Sequence, residues 1–120
     1  MTDKMILVVE DDDDLRYLAT QQLKKIGFSA ETASDGLDAL EKLKEKEYDL
    51  ILMDIMMPVL DGVNATIQIR ELEKDSKNRT IIIAMTAVSD KERCLSAGMD
   101  DYIFKPIMLD HLKALVSKWL

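Results

Sequence analysis

Along this chain, unbroken apolar stretches alternate with stretches in which apolar residues recur every three or four positions. Ile6-Leu7-Val8-Val9, Leu50-Ile51-Leu52-Met53 and Ile81-Ile82-Ile83-Ala84 are continuous apolar runs, the pattern of strands buried on both faces. These three should be central. Phe28–Ala33 is mixed and more polar, which suits a strand at the edge of a sheet. The predicted strands are therefore Met5–Val9, Phe28–Ala33, Leu50–Met53, Thr80–Met85 and Tyr102–Phe104.

The intervening segments have helical spacing. Leu15, Leu18, Ala19, Leu23 and Ile26 form one stripe, and Leu112, Leu115, Val116 and Trp119 another. Gly27 and Gly98 stand where C′ glycines would end the first and fourth helices. Ser89-Asp90-Lys91-Glu92 has capping-box spacing and starts the fourth helix. A third helix over Val63–Leu72 runs into the charged segment Glu73–Arg79, read as a solvated loop. Strands and helices in strict alternation predict an α/β fold, a parallel sheet with helices on both faces.

Composition narrows the function. With 120 residues, 48% of them apolar, the expectation is one domain spanning 1–120 around one core. No run is long enough to cross a membrane and the N-terminus lacks a signal-peptide layout, so a cytoplasmic location is expected. The single cysteine, Cys94, makes no internal disulfide, and the eight methionines read as core filler. A net charge of −7 argues against nucleic acid or an anionic membrane as partner. Cations and basic protein surfaces are favoured.

Ligands of an open parallel sheet bind beyond the carboxyl ends of its strands. The first predicted strand is followed by Glu10-Asp11, the third by Asp54, the fourth by Thr86 and the fifth by Lys105-Pro106. One edge thus receives carboxylates, a hydroxyl and an ammonium. Crowded carboxylates repel unless a cation lies between them, and a hard divalent ion with oxygen ligands answers that need. Mg²⁺ keeps few carboxylates and completes its shell with water and phosphate oxygens, so a phosphorylated group is the expected companion. Lys105 would then meet one phosphate oxygen and Thr86 another.

Each residue also has a plainer reading. Asp12, Asp13 and Asp14 continue an acidic run and suit a solvated helix N-terminus. Asp54 could merely end a strand, but it sits between apolar Met53 and Ile55, where an unpaired charge is costly. Threonine is common at strand ends. Tyr102 stands evenly between a core aromatic and a switching residue. His111, the lone histidine, is read as solvent-facing and without function.

The chain resembles the receiver domains of response regulators and hybrid histidine kinases. The resemblance rests on Ile6–Asp11, on Asp49–Gly62 with its Asp54-Ile55-Met56-Met57-Pro58 core, on Met85-Thr86-Ala87, and on Ala97–Pro106 with Lys105-Pro106. It implies a flavodoxin-like fold with strand order 2-1-3-4-5. It further implies that Asp54 is the phosphoacceptor, that Asp11, Asp54 and the backbone carbonyl of Met56 bind Mg²⁺ with Glu10 acting through water, and that Mn²⁺ is the alternative ion. Lys105 and Thr86 would hold the phosphoryl oxygens, the Lys105-Pro106 bond would be cis, and Thr86 and Tyr102 would switch a partner surface. The implied donor is a histidine kinase or a histidine phosphotransfer domain, and the output a downstream protein or a fused domain. The chain would be a signalling switch that catalyses its own modification, not an enzyme acting on other substrates. Met56 and Val88 are apolar where relatives often carry polar residues, so altered phosphoryl half-lives are expected in Met56→Asn and Val88→Glu proteins; unchanged half-lives would sink that reading.

Other readings stand beside it. An aspartyl phosphatase could use Asp11-x-Asp13 with Asp100-Asp101, but its lysine should precede that pair and Lys105 comes after it. A P-loop hydrolase lacks its G-x-x-x-x-G-K-[ST] segment. A receiver kept only as a docking module is the binding-class alternative, and a free-standing regulator and an excised hybrid-kinase domain share the same core.

Overall fold

The computed structural model describes residues 3–76, 78–87 and 90–120. Its elements alternate: β1 (Met5–Val9), α1 (Asp13–Lys25), β2 (Ser29–Ala33), α2 (Gly36–Glu45), β3 (Leu50–Asp54), α3 (Gly62–Leu72), β4 (Ile81–Thr86), α4 (Lys91–Ala97), β5 (Asp101–Phe104) and α5 (Leu109–Trp119). The sheet order is β2-β1-β3-β4-β5, with every pairing parallel. The three apolar runs are the three interior strands, and β2 is an edge, as their patterns predict.

Alternation along the interior strands divides the core in two. Leu7, Val9, Ile51, Met53, Ile82 and Ala84 face Ala39 and Leu40 of α2, Val63, Ala65 and Ile69 of α3 and Cys94 of α4. Ile6, Val8, Leu50, Leu52, Ile83 and Met85 face Ala19 and Leu23 of α1 and Leu112 and Val116 of α5. A strand sandwiched this way has no face left for polar residues, which is why these runs are unbroken.

Several expectations are corrected. Phe28 stays outside β2 because its amide donates to the Leu23 carbonyl at the end of α1. Thr80 stays outside β4 because its amide donates to Glu73 at 2.8 Å. Glu73 is therefore not solvated: it also accepts from Arg70 at 2.6 Å, whereas Lys74, Asp75, Ser76, Asn78 and Arg79 are exposed. Leu15 and Leu18 are 43% and 49% exposed. Instead of packing on the sheet, they flank a cavity that Pro106 and Ile107 also line. Of the methionines, Met53, Met57, Met85 and Met99 are core, while Met56 and Met108 are exposed. Asp90 makes no side-chain cap on α4, and Ser89 lies outside the described residues.

Gly27 and Gly98 take positive φ, +92° and +108°, as their places after α1 and α4 predict. At the far end of the molecule, Trp119 donates its indole N–H to Asp101 at 2.9 Å and Lys118 donates at 3.3 Å, closing α5 onto β5. Burial alone would raise the Asp101 carboxyl, but the bonds from Trp119, the Tyr102 amide and Lys118 outweigh it and hold the group below its usual range. A depressed folded-state pKa gives stability that is present above the unfolded value and lost as pH falls through the folded one. Acid unfolding of wild type measured below about pH 4 should accordingly be steeper than that of Asp101→Asn; identical acid limbs would show that Asp101 contributes nothing.

Candidate metal centre

The parallel sheet brings the ends of β1, β3, β4 and β5 to one edge, so residues distant in sequence meet there. Asp54 closes β3 and pairs with Met85. Thr86 closes β4 and is 3% exposed, as is Asp54. Glu10 comes after β1 and is 1% exposed, its amide donating to the Ala33 carbonyl at 3.1 Å. Asp11 is exposed at the mouth. Lys105 comes after β5, and its amide donates to the Thr86 carbonyl at 2.7 Å. The Lys105-Pro106 bond is cis.

The Lys105 ammonium lies 3.0 Å from Glu10 Oε1 and 3.2 Å from Asp54 Oδ1. Burial would lower its pKa, but contact with Glu10 and Asp54 raises it above the usual range. The reverse holds for Glu10. Burial first, and the neighbouring Asp54 carboxylate next, push it up to about 7 against the pull of Lys105. One ammonium does not compensate the gathered acids.

A divalent cation would. One oxygen from each of Glu10, Asp11 and Asp54 lies within 4.8 Å of the others. Among the described residues Glu10 Oε2 is buried without a hydrogen-bond partner, so it can accept from a water held by a bound ion. An all-oxygen, carboxylate-rich set of this kind fits Mg²⁺. Among the described residues this is the one cluster of metal-ligating side chains. Asp13, by contrast, pairs with Arg16, while Asp100 pairs with Arg70 and Arg79 and Asp101 with Lys118. None of the three joins the acidic site that an aspartyl phosphatase would need.

The remaining predicted residues lie around this centre or away from it. The Met56 amide donates to Asp54 Oδ1 at 3.2 Å, and its side chain points to solvent. Tyr102 is half-buried, edge-on to Phe104 at 5.2 Å between centroids, with the Lys91 ammonium 5.6 Å from its ring. Asp12 caps α1 by accepting from the Leu15 amide, and Asp13 and Asp14 lie exposed in the first turn. His111 is exposed. Val88 lies outside the described residues.

Two residues that spacing did not single out also shape the site. A Cβ on Gly62 would lie 2.2 Å from the Asp54 carbonyl oxygen and 2.8 Å from Ile55 Cα. Asp61 caps α3 by accepting from the Asn64 amide at 2.8 Å, so glycine lets the helix seat directly against the turn after Asp54. The sequence signal was the Asp61-Gly62 pair ahead of a helix. Arg16, the other, donates to the Glu10 carbonyl at 2.8 Å and has no sequence signal of its own.

The family model for the response regulator receiver domain matches residues 6–117. Curated relatives include the hybrid signal transduction protein dokA of Dictyostelium discoideum, 41% identical over 117 residues, 98% of this chain and 7% of that protein. Hybrid signal transduction histidine kinase F of the same organism is 39% identical over 120 residues, 96% of this chain and 11% of its own length. The chain thus spans only a small fraction of these relatives.

Among solved structures, the receiver domain of a Pseudomonas aeruginosa sensor histidine kinase, with magnesium coordinated in its active-site cleft, is 36% identical with a TM-score of 0.87, covering 98% of both chains. The Thermotoga maritima response regulator TrrA in complex with Mg²⁺ and BeF is 37% identical with a TM-score of 0.86, covering 98% of this chain and 99% of that one. The Saccharomyces cerevisiae receiver domain co-crystallised with a histidine phosphotransfer protein is 33% identical with a TM-score of 0.88, covering 97% and 88%.

Proposed function

We propose that this chain, which belongs to the response regulator receiver domain family, takes a phosphoryl group from a phosphohistidine onto Asp54. The carrying observation is the buried constellation itself: Lys105 bridging Glu10 and Asp54 beside a third carboxylate, Asp11.

An Asp54 carboxylate oxygen attacks phosphorus in line; the new O–P bond forms as the donor's N–P bond breaks, and the imidazole leaves with that electron pair. Lys105 sits where charge builds on one transferring oxygen, and the Thr86 hydroxyl, delivered by β4, donates to another. Asp11, Asp54 and the Met56 carbonyl would hold Mg²⁺, or Mn²⁺ in its place, with Glu10 accepting from a bound water. The ion supplies neutralisation of charge on the phosphoryl oxygens. In this reading the chain is a switch that modifies itself rather than an enzyme with turnover on other substrates.

The partners are set by the same surface. A histidine kinase or histidine phosphotransfer domain is the donor, and the exposed Leu15 and Leu18, which flank a cavity of about 310 Å³ beside Lys105 and Pro106, offer it an apolar landing. The output is a downstream protein or a fused domain, read through Thr86 and Tyr102. The net charge of −7 disfavours nucleic acid and anionic membranes. Among the described residues no helix is long and apolar enough to cross a membrane, and a cytoplasmic location suits the buried free thiol of Cys94.

The test is intact mass after incubation with acetyl phosphate. One added phosphoryl group that appears with Mg²⁺ and not with a chelator is the expected result. No adduct at any time from seconds to hours would favour a docking module.

A further inference from the structure

The acidic run Glu10–Asp14 is sorted by its partners. Glu10 is committed to Lys105 and Asp12 to the Leu15 amide. Arg16 takes Asp13 with one guanidinium nitrogen, and with another donates to the Glu10 backbone carbonyl at 2.8 Å. Among the described residues Asp11 has no hydrogen bond or ion pair, and it is the one exposed member of the metal-ligating cluster.

The Arg16–Glu10 bond reaches the peptide that joins the two metal-site acids. A peptide unit is planar, so holding the Glu10 oxygen fixes the direction in which the chain enters Asp11. The other side of Glu10 is already fixed, because its amide donates to Ala33 of β2 at 3.1 Å. Arg16 is itself well placed to act as an anchor. It is on α1, its own carbonyl accepts from the Thr20 hydroxyl at 2.8 Å, and its side chain is only 21% exposed.

We infer that Arg16 is a positioning residue for the metal centre: its guanidinium clamps the Glu10 carbonyl while occupying Asp13, which orients Asp11 toward the ion and leaves it uncommitted. The inference rests on the functional reading above for its consequence, though not for the clamp itself. A clamp and a mere charge have opposite effects. A cation beside the acids would by charge alone weaken Mg²⁺ binding, so its removal would tighten binding; removal of a clamp loosens it. Partners that orient metal ligands typically change affinity by about 10- to 100-fold when lost.

The experiment is a Mg²⁺ titration of the full chain followed by amide shifts near Asp54, for wild type, Arg16→Met and Arg16→Lys. Arg16→Met, which keeps the apolar stem, should bind Mg²⁺ about tenfold more weakly, and Arg16→Lys, whose ammonium can keep the bond to the Glu10 carbonyl but not the two-pronged hold, should fall between. Equal or tighter binding by Arg16→Met overturns the inference.

A second readout needs no metal. The carbonyl carbon resonance of Glu10, which loses its hydrogen bond from Arg16, should move upfield in Arg16→Met while the Val8 amide keeps its protection from exchange. An unchanged Glu10 carbonyl shift overturns the clamp even if the metal affinity moves. Lost protection at Val8 would mean that Arg16→Met does not fold, and Arg16→Lys then decides. A wild type that binds no Mg²⁺ would sink the functional reading instead, and the Glu10 carbonyl shift would still judge the clamp.

Discussion

Asp54→Ala protein incubated with acetyl phosphate and Mg²⁺ will gain no phosphoryl mass at times when wild type is labelled, and in metal-free buffer it will melt at a higher temperature than wild type. The first half comes from the site: among the described residues, Asp54 is the buried carboxylate at the end of β3 with an oxygen 3.2 Å from Lys105 and a bond from the Met56 amide. The second half comes from crowding. Glu10 is pushed up to about 7 by burial and by Asp54 against the pull of Lys105, so without a cation the site opposes folding through like charge. Removing Asp54 leaves Glu10 and Lys105 as a one-to-one pair 3.0 Å apart. Burial still raises Glu10 and exposed Asp11 remains nearby, but the repulsion from the buried Asp54 carboxylate is gone, and a gain on the order of 1 kcal/mol is expected. Calorimetry without and with Mg²⁺ checks it. A lower melting temperature in metal-free buffer would mean that the Lys105–Asp54 bridge outweighs the repulsion, and labelling of the variant would place the acceptor elsewhere.

Gly62→Ala should damage both stability and function. Its Cβ would stand 2.2 Å from the Asp54 carbonyl oxygen, 2.8 Å from Ile55 Cα and 2.9 Å from the Asp54 carbonyl carbon. These are backbone atoms, so no side-chain rotation relieves the contact. Either α3 withdraws, weakening the Gly62 amide bond to the Ile55 carbonyl and the packing of Val63 and Ala65 in the core, or the turn after Asp54 shifts and carries the acceptor with it. Overpacking of this kind typically costs about 1–3 kcal/mol, and the upper end is expected where backbone must move. Denaturant unfolding should show that loss, and labelling by acetyl phosphate should slow. Wild-type midpoint and wild-type labelling together would show that the loop absorbs a methyl group freely.

The two positions also differ in how far local pattern reveals them. Asp54 is legible because a charged residue directly after a buried run has to be explained by something at the end of the strand, and Glu10, Asp11 and Lys105 are legible for the same reason, whereas Thr86 gains meaning only beside them. Gly62 is visible only as a glycine ahead of a helix. Its closeness to Asp54 depends on how α3 packs against the end of β3, and no local pattern reports that. Arg16 is less visible still, since its value lies in reaching a backbone carbonyl six residues earlier, across the gap between α1 and the end of β1.

Local sequence sets the alternation of elements, the three interior strands, the edge position of β2 and the residue types delivered to one end of the sheet. Each of these is a consequence of burial on two faces or of strand direction, which are written in hydrophobic period and in the residues that close each apolar run. The rest belongs to the assembled fold. Leu15 and Leu18 lie on the predicted stripe yet stay exposed, because period fixes which side of a helix faces inward but not how far the neighbour beneath it extends. Glu73 leaves the solvated loop for Arg70 and the Thr80 amide, and Arg16 takes Asp13 and the Glu10 carbonyl from a run of acids. Partner choice among charged groups is set by three-dimensional distance and desolvation, and neither is written in the spacing of residues along a chain.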